Sequence, residues 1–307
     1  MSGLKNYVRK LMLRSRNKVI AITMGDPQGI GAEVIIKALK RPEVVNAGRF
    51  VLIGDAKQLK PCRGTNITLM DVPYRNPAQG SLEFLDKAIE LIKGGVVDGL
   101  VTAPLSKERV DAYSKGFVGH TEYLAQAFGI KRFDMMFVAR DVRLTIATRH
   151  MPLKEVPKAI NKKLVFNSIV LMDETLRGKF RIKHPRIAVL GLNPHAGEGG
   201  LLGKEEGQSI IPAINAAVKK GINASGPYPA DTFFIKDKGF DGIIAMYHDQ
   251  GLAPIKGIYF KDLVNFTAGL PFVRTSPVHG TAFDIAGKNV ADPSSMIAAI
   301  KLAVQLA

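Results

Sequence analysis

Three histidines in this chain stand in similar settings, and an imidazole so placed can hold a metal ion. "TIATRHMP" delivers His150, "AVLGLNPHAGE" delivers His195 and "IIAMYHDQG" delivers His248, each just beyond an apolar run of strand length. Neutral imidazole is a favoured ligand of divalent metals, and three of them leave positions open for water or substrate. One histidine after a strand is more often structural. Three of the chain's six, each followed by turn-forming residues, point to a common role.

A second group of residues suits an anion. "GHTEYLAQAFG" (119–129) reads as a helix N-terminus with Thr121 as its cap, where backbone N–H groups and the side chains of His120 and Thr121 can donate to a phosphate. Capping alone explains Thr121 but not His120. "LVNFTAGLPFVRTSPVHGTAFDIAGK" (263–288) carries Asn265, Arg274, His279, Thr281 and Asp284 in a Gly/Pro-rich setting, with Lys256 just upstream. Donor-rich loops of this kind build sites for acidic ligands, an ordinary surface loop being the alternative. "GDPQGIG" (25–31) has neither the G-x-G-x-x-G spacing of a dinucleotide loop nor a G-K-[ST] ending, so a tight strand-to-helix turn is the better reading. "GGLLGKEE" (199–206) fails as a phosphate loop for the same reason.

The elements that must position these groups alternate along the chain. Strands are expected at 18–24, 49–55, 97–104, 144–150, 186–192 and 240–248. Helices are expected at "AEVIIKALKR", at "SLEFLDKAIELIKGG" with Ser81 near its start and Gly94 as its stop, and near "SSMIAAIKLAVQLA". Continuous apolar strands separated by helices predict an α/β fold with a largely parallel sheet. In such sheets ligands bind beyond the carboxyl ends of the strands, which is where all three histidines fall.

Composition bounds the function. The 307 residues are 46% hydrophobic, ample for a buried core, and no apolar run approaches the roughly 20 residues that span a bilayer. The single cysteine, Cys62, excludes an internal disulfide framework and suits a cytoplasmic location. Of the net charge of +16, +6 comes from Lys5, Arg9, Lys10, Arg14, Arg16 and Lys18, a basic N-terminal extension over residues 1–18. The remaining basic residues are scattered among acids, and no zinc finger, recognition helix or RNA-reading aromatic pattern accompanies them. A basic surface that attracts anionic substrates is favoured over nucleic-acid binding, which would instead fall steeply with salt and ignore chelators.

The ordered motifs "AITMGDPQGIG", "TAPLSK", "GHTEYLA", "RHMPL", "NPHAGEGGLLGKEE", "PADTFF", "MYHDQG", "GLPFVRTS" and "HGTAFDIAG" closely resemble the 4-hydroxythreonine-4-phosphate dehydrogenase family of pyridoxal phosphate biosynthesis, from about Val19 to the C-terminus. The resemblance implies two α/β/α domains of the isocitrate/isopropylmalate dehydrogenase type with the active site in the cleft between them. The expected domains are 19–118 with 278–307, and 119–277. It further implies that His150, His195 and His248 hold a divalent metal in a site shared by the two subunits of a homodimer. Zinc is the first expectation, with cobalt, nickel, iron, manganese or magnesium as alternatives. His120, Thr121, Lys256, Asn265 and Arg274 match substrate-binding positions. His279, Gly280, Thr281, Ala282 and Asp284 match a loop that binds NAD, or NADP, without the usual glycine fingerprint. Asp249 and Asp231 are candidates for orienting an imidazole or moving a proton. The implied reaction is oxidation of 4-phosphooxy-L-threonine with decarboxylation. A paralogous branch oxidises D-threonate or D-erythronate 4-phosphate, and "FTAGLPF" and "IKLAVQLA" look somewhat closer to it.

Overall fold

The apolar runs become strands and the amphipathic runs between them become helices in the computed structural model of the chain, which describes residues 18–62, 64–235 and 239–307. Residues 1–17 of the basic extension lie outside the described residues. In chain order the strands are β1 (Val19–Thr23), β2 (Arg49–Gly54), β3 (Ile67–Asp71), β4 (Gly99–Thr102), β5 (Asp134–Ala139), β6 (Val142–Ile146), β7 (Ile187–Leu190), β8 (Ala224–Tyr228), β9 (Gly242–Ala245), β10 (Val264–Ala268) and β11 (Val273–Pro277). The longer helices are α1 (Gly31–Leu39), α2 (Pro77–Lys93), α3 (Lys107–Tyr113), α4 (His120–Ala127), α5 (Lys162–Gly178), α6 (Ile211–Lys219), α7 (His248–Tyr259) and α8 (Ser294–Leu306).

Two units divide the chain. The first comprises residues up to Lys131 with Lys261–Asn265 and Leu270–Ala307; the second comprises Arg132–Phe260 and Phe266–Gly269. Residues 119–131 and 270–277 thus group with the first unit, whereas the sequence reading placed them in the second. The physical reason is that β11 pairs in parallel with β4, and Arg274 on β11 bonds to Thr102 and Thr121.

In the first unit the strand order runs β3-β2-β1-β4-β11, all parallel. Ile20, Ile22, Leu52, Ile53 and Leu100 of these strands are fully buried, as strands covered on both faces must be. Helix α2 starts earlier than expected: Asn76 caps it by accepting from Gln79 N at 2.9 Å, and Ser81 instead donates to the Pro77 carbonyl inside the first turns.

In the second unit the order is β5-β6-β9-β7-β8. Strands β6, β9, β7 and β8 are parallel, and β5 joins β6 as an antiparallel hairpin around Arg140 and Asp141. "DMMFVA", which forms β5, is buried along its whole length. The last turn of α5 is closed by an Arg177–Asp173 ion pair at 2.9 Å.

Candidate active site

Strands β6, β9 and β7 are neighbours, with Leu144 opposite Ile243 and Val189 opposite Ile244. Their carboxyl ends therefore lie along one edge, and His150, His248 and His195 follow them in that order. Two hydrogen-bonded side chains stitch this edge together. Thr148 Oγ1, in a buried residue, donates to the Met246 carbonyl at 2.8 Å. Gln250 accepts from Met246 N at 2.7 Å through Oε1 and donates to the Gly191 carbonyl at 2.7 Å through Nε2. Gln250 thus ties the end of β9 to the end of β7.

The His150 and His248 rings approach to 5.2 Å between centroids. His248 Nδ1 lies 2.7 Å from Asp249 Oδ1, the arrangement in which a carboxylate fixes an imidazole tautomer. His248 does not extend the strand as the sequence reading had it: β9 ends at Ala245 and His248 opens α7. His195 sits in a left-handed turn, with φ near +54° at His195, +55° at Ala196, +80° at Gly197, +44° at Glu198 and +70° at Gly199. Glycine enters this conformation freely, whereas His195, Ala196 and Glu198 each cost roughly 1–2 kcal/mol there. Asp231, at the start of a short helical turn, lines a cavity of about 540 Å³ together with Asn193, His195, Phe234, Tyr247 and Gln250. Lys256 lies on α7, away from this lining.

Within one chain, the described residues contain no group of three His, Cys, Asp or Glu side chains able to hold a metal ion. The donor types fit a divalent metal, and of the three histidines His150 and His248 have their rings in contact within one chain. Asp134, on β5 of the same unit, is buried, and that burial raises its carboxyl to about 7 against the opposing Arg149 guanidinium 3.9 Å away.

Of the residues expected to bind an anion, His120, Thr121 and Arg274 assemble in the first unit, whereas Lys256 belongs to the second. Arg274, only 2% exposed, donates from Nη2 to Thr102 Oγ1 at 2.6 Å and from Nη1 to Thr121 Oγ1 at 3.4 Å. Burial lowers its guanidinium to about 10, so it remains a cation at neutral pH. Helix α4 begins at His120 with Gly119 as its cap residue, which places Thr121 inside the helix rather than at the cap. Burial, and then the Arg274 and Lys107 cations, hold His120 well below the usual histidine range. A neutral imidazole, a threonine, a buried guanidinium and the N-terminus of α4 make a strong oxyanion pocket. Lys107 belongs to it too, because a Cβ added to Gly119 would stand 3.3 Å from Lys107 Nζ. "TAPLSK" was its only trace in the sequence. Asn265 lies on β10.

The loop 279–288 contains hydrogen-bonded turns, with His279, Thr281, Ala282, Ile285 and Ala286 half-buried and Gly280, Phe283 and Asp284 exposed. His279 Nδ1 lies 3.1 Å from the Gly280 carbonyl. The "GDPQGIG" stretch is a tight turn, as its spacing implied. A Cβ at Gly25 would fall 2.1 Å from the Pro104 carbonyl oxygen, and one at Gly31 2.0 Å from that of Met24. The turn also supports the loop, since Ile30 N donates to the Thr281 carbonyl at 3.0 Å. Arg109 stacks on Phe283 at 4.0 Å and donates to Gln28 at 2.8 Å.

The family model described as "Pyridoxal phosphate biosynthetic protein PdxA" matches residues 20–303. A 4-hydroxythreonine-4-phosphate dehydrogenase of Sulfurihydrogenibium sp. (strain YO3AOP1) is 38% identical, the match covering 94% of this chain and 98% of that protein. A protein of Oceanobacillus iheyensis, provisionally named D-threonate 4-phosphate dehydrogenase, is 40% identical over 95% of this chain and 99% of its own. The crystal structure of a 4-hydroxythreonine-4-phosphate dehydrogenase from Klebsiella pneumoniae superposes with a TM-score of 0.86 at 35% identity, covering 95% of this chain and 99% of that one.

Proposed function

This chain belongs to the PdxA family of pyridoxal phosphate biosynthetic proteins and is a dehydrogenase; from that premise we propose that it oxidises 4-phosphooxy-L-threonine at its 3-hydroxyl with NAD and releases carbon dioxide. The observation that carries this reading is the pocket of Arg274, Thr121, His120 and Lys107, whose buried guanidinium and helix N–H groups match a phosphate monoester.

The substrate's phosphate is held by His120, Thr121, Arg274 and Lys107, while Lys256 and Asn265 hold its other polar groups. Because His120 is neutral, it donates one N–H without adding charge. The loop residues His279, Gly280, Thr281, Ala282 and Asp284 hold the dinucleotide, braced from below by Ile30 and from the side by Arg109. NAD, when bound, accepts the hydride from the carbinol carbon; NADP is the alternative.

His150, His195 and His248 would hold a divalent metal, zinc first, in a cytoplasmic homodimer whose two subunits each contribute ligands. The support is that one chain pairs His150 with His248 and no third ligand joins them among its described residues. Such a metal, when bound, would supply Lewis acidity to the oxygen on the substrate's carbinol carbon, which is the carbon oxidised. Asp249 orients His248 through its 2.7 Å contact, and Asp231 stands in the cavity wall where it can take the hydroxyl proton.

Oxidation of D-threonate or D-erythronate 4-phosphate is the second reading. It is favoured by the 40% identity to the Oceanobacillus protein. The deciding experiment follows NADH formation with each of the three phosphates, with added zinc and with chelator. Preference for the amino acid, abolished by chelator, is the expected result. Preference for a sugar-acid phosphate would overturn the first reading for the second.

A further inference from the structure

Resting on the proposed role of His195 as a metal ligand, we infer that Glu206 is the residue that positions it. His195's imidazole is 65% exposed, with Glu198 3.6 Å away, so its place is set by the backbone beneath it rather than by side-chain packing. That backbone is the left-handed turn, and Glu206 holds its entry and backs its middle.

Glu206 is only 4% exposed, although it sits in a run, "GKEEGQS", that reads as solvated surface. Its Oε1 accepts from Leu192 N at 2.8 Å and from Asn193 N at 2.7 Å, the two donors left over where β7 ends. Its Oε2 accepts from Asn193 Nδ2 at 2.9 Å, while Glu205 takes the same amide at 2.8 Å. On the far side, Gly197 passes so close that a Cβ there would stand 2.7 Å from Glu206 Oε2. One carboxylate therefore pins the entry to the turn at 192–193 and fits against its middle at 197. Glu206 is itself fixed because it opens a π-helical turn, Glu206–Ile210, that runs directly into α6.

Glu206→Gln replaces one of the two acceptor oxygens by an NH2 donor, which must face either the Leu192 and Asn193 N–H groups or the Asn193 amide; the lost bond would let the strained residues His195, Ala196 and Glu198 relax towards ordinary φ, moving the imidazole. The same logic gives a rescue. Glycine at position 196 adopts the left-handed conformation without penalty, so Ala196→Gly should restore part of what loss of the carboxylate removes.

The test uses the full-length, metal-free protein titrated with cobalt(II), read by chelator competition and by the visible absorption of the bound ion, alongside thermal unfolding without metal. Glu206→Gln is expected to weaken cobalt binding about 10- to 100-fold and to change its absorption, while Ala196→Gly in that background recovers part of the affinity. Glu206→Gln binding within twofold of the unsubstituted protein with an unchanged spectrum, while His195→Ala loses cobalt, would overturn the inference and leave the metal reading intact. Lowered thermal stability with an unchanged cobalt spectrum would overturn it as well. Unaltered cobalt binding in His195→Ala would overturn the metal reading and this inference with it. Should Glu206→Gln not fold, Asn193→Ala removes one donor to each of Glu205 and Glu206; an affinity within twofold of normal overturns the inference.

Discussion

The phosphate pocket and the histidine edge solve opposite problems. The pocket is finished within one chain: Arg274 is buried, bonded to Thr102 and Thr121, and flanked by His120 and Lys107. The histidine edge is exposed and incomplete, with one close imidazole pair and a third imidazole held out on a strained turn. The difference teaches where each site obtains its precision. A buried cation must be fixed by its own hydrogen bonds, because any left unpaired are costly. An exposed ligand gains little from side-chain contacts, so its precision comes from the backbone and from the residues that lock it, Thr148, Gln250 and Glu206.

The largest effect expected from breaking this contrast is at the histidine edge. His195→Ala should lower turnover by roughly a thousandfold, since Lewis-acid stabilisation contributes several kcal/mol, with phosphate binding retained. Steady-state kinetics with and without zinc, and binding of inorganic phosphate by calorimetry, check it; full activity would dismiss the three-histidine site. On the other side, Arg274→Lys keeps the charge but loses the fork that reaches two threonines. A fall of about 100-fold in kcat/KM is expected, carried mainly by KM, with metal binding unchanged. A smaller effect should follow Gln250→Leu, which removes both bonds between the ends of β7 and β9. About 1–3 kcal/mol of stability should be lost in denaturant unfolding, and roughly tenfold in activity.

Much of this was legible in the sequence. Apolar runs ending in His150, His195 and His248 gave the parallel strands and their common edge, because buried strands have a periodicity that polar turns interrupt cleanly. The Arg274–Thr121 pairing spans 153 positions, and only family resemblance put its members in one site. Other features left no periodic trace. Strand β5 is buried throughout, but its hairpin turns at Arg140 without a glycine. His248 reads equally as the end of a strand or the start of a helix. Glu206 was hidden because sequence position says nothing of burial, and an acid beside an acid looks solvated; the nearby glycines at 197, 199, 200 and 203 were the one signal of a turn needing positive φ. Lys107, within "TAPLSK", has no spacing that marks a role, since its neighbour Gly119 has no side chain to advertise the contact.

The same contrast sets two opposed pH dependences, one in each unit. His120 is held below its ordinary value of 6.5, so below that pH the unfolded chain binds a proton that the native chain refuses. Stability from this group is therefore present above pH 6.5 and is lost as pH falls. Asp134 is raised from 3.8 to about 7, so between those values the native chain holds a proton that the unfolded chain has released. Stability from this group is present at low pH and is lost as pH rises towards 7. Just below pH 6.5 the two slopes oppose one another, each at most about 1.4 kcal/mol per pH unit. Removing one should expose the other. With chelator present, His120→Asn should lose stability relative to the unsubstituted protein as pH rises towards 6.5, and Asp134→Asn should become relatively more stable from pH 4 to 7, by about 1 kcal/mol per pH unit. Urea unfolding at half-unit intervals of pH reads both. Parallel curves for Asp134→Asn and the unsubstituted protein would mean that the Asp134 carboxyl titrates as if exposed, and that Arg149 offsets its burial in full.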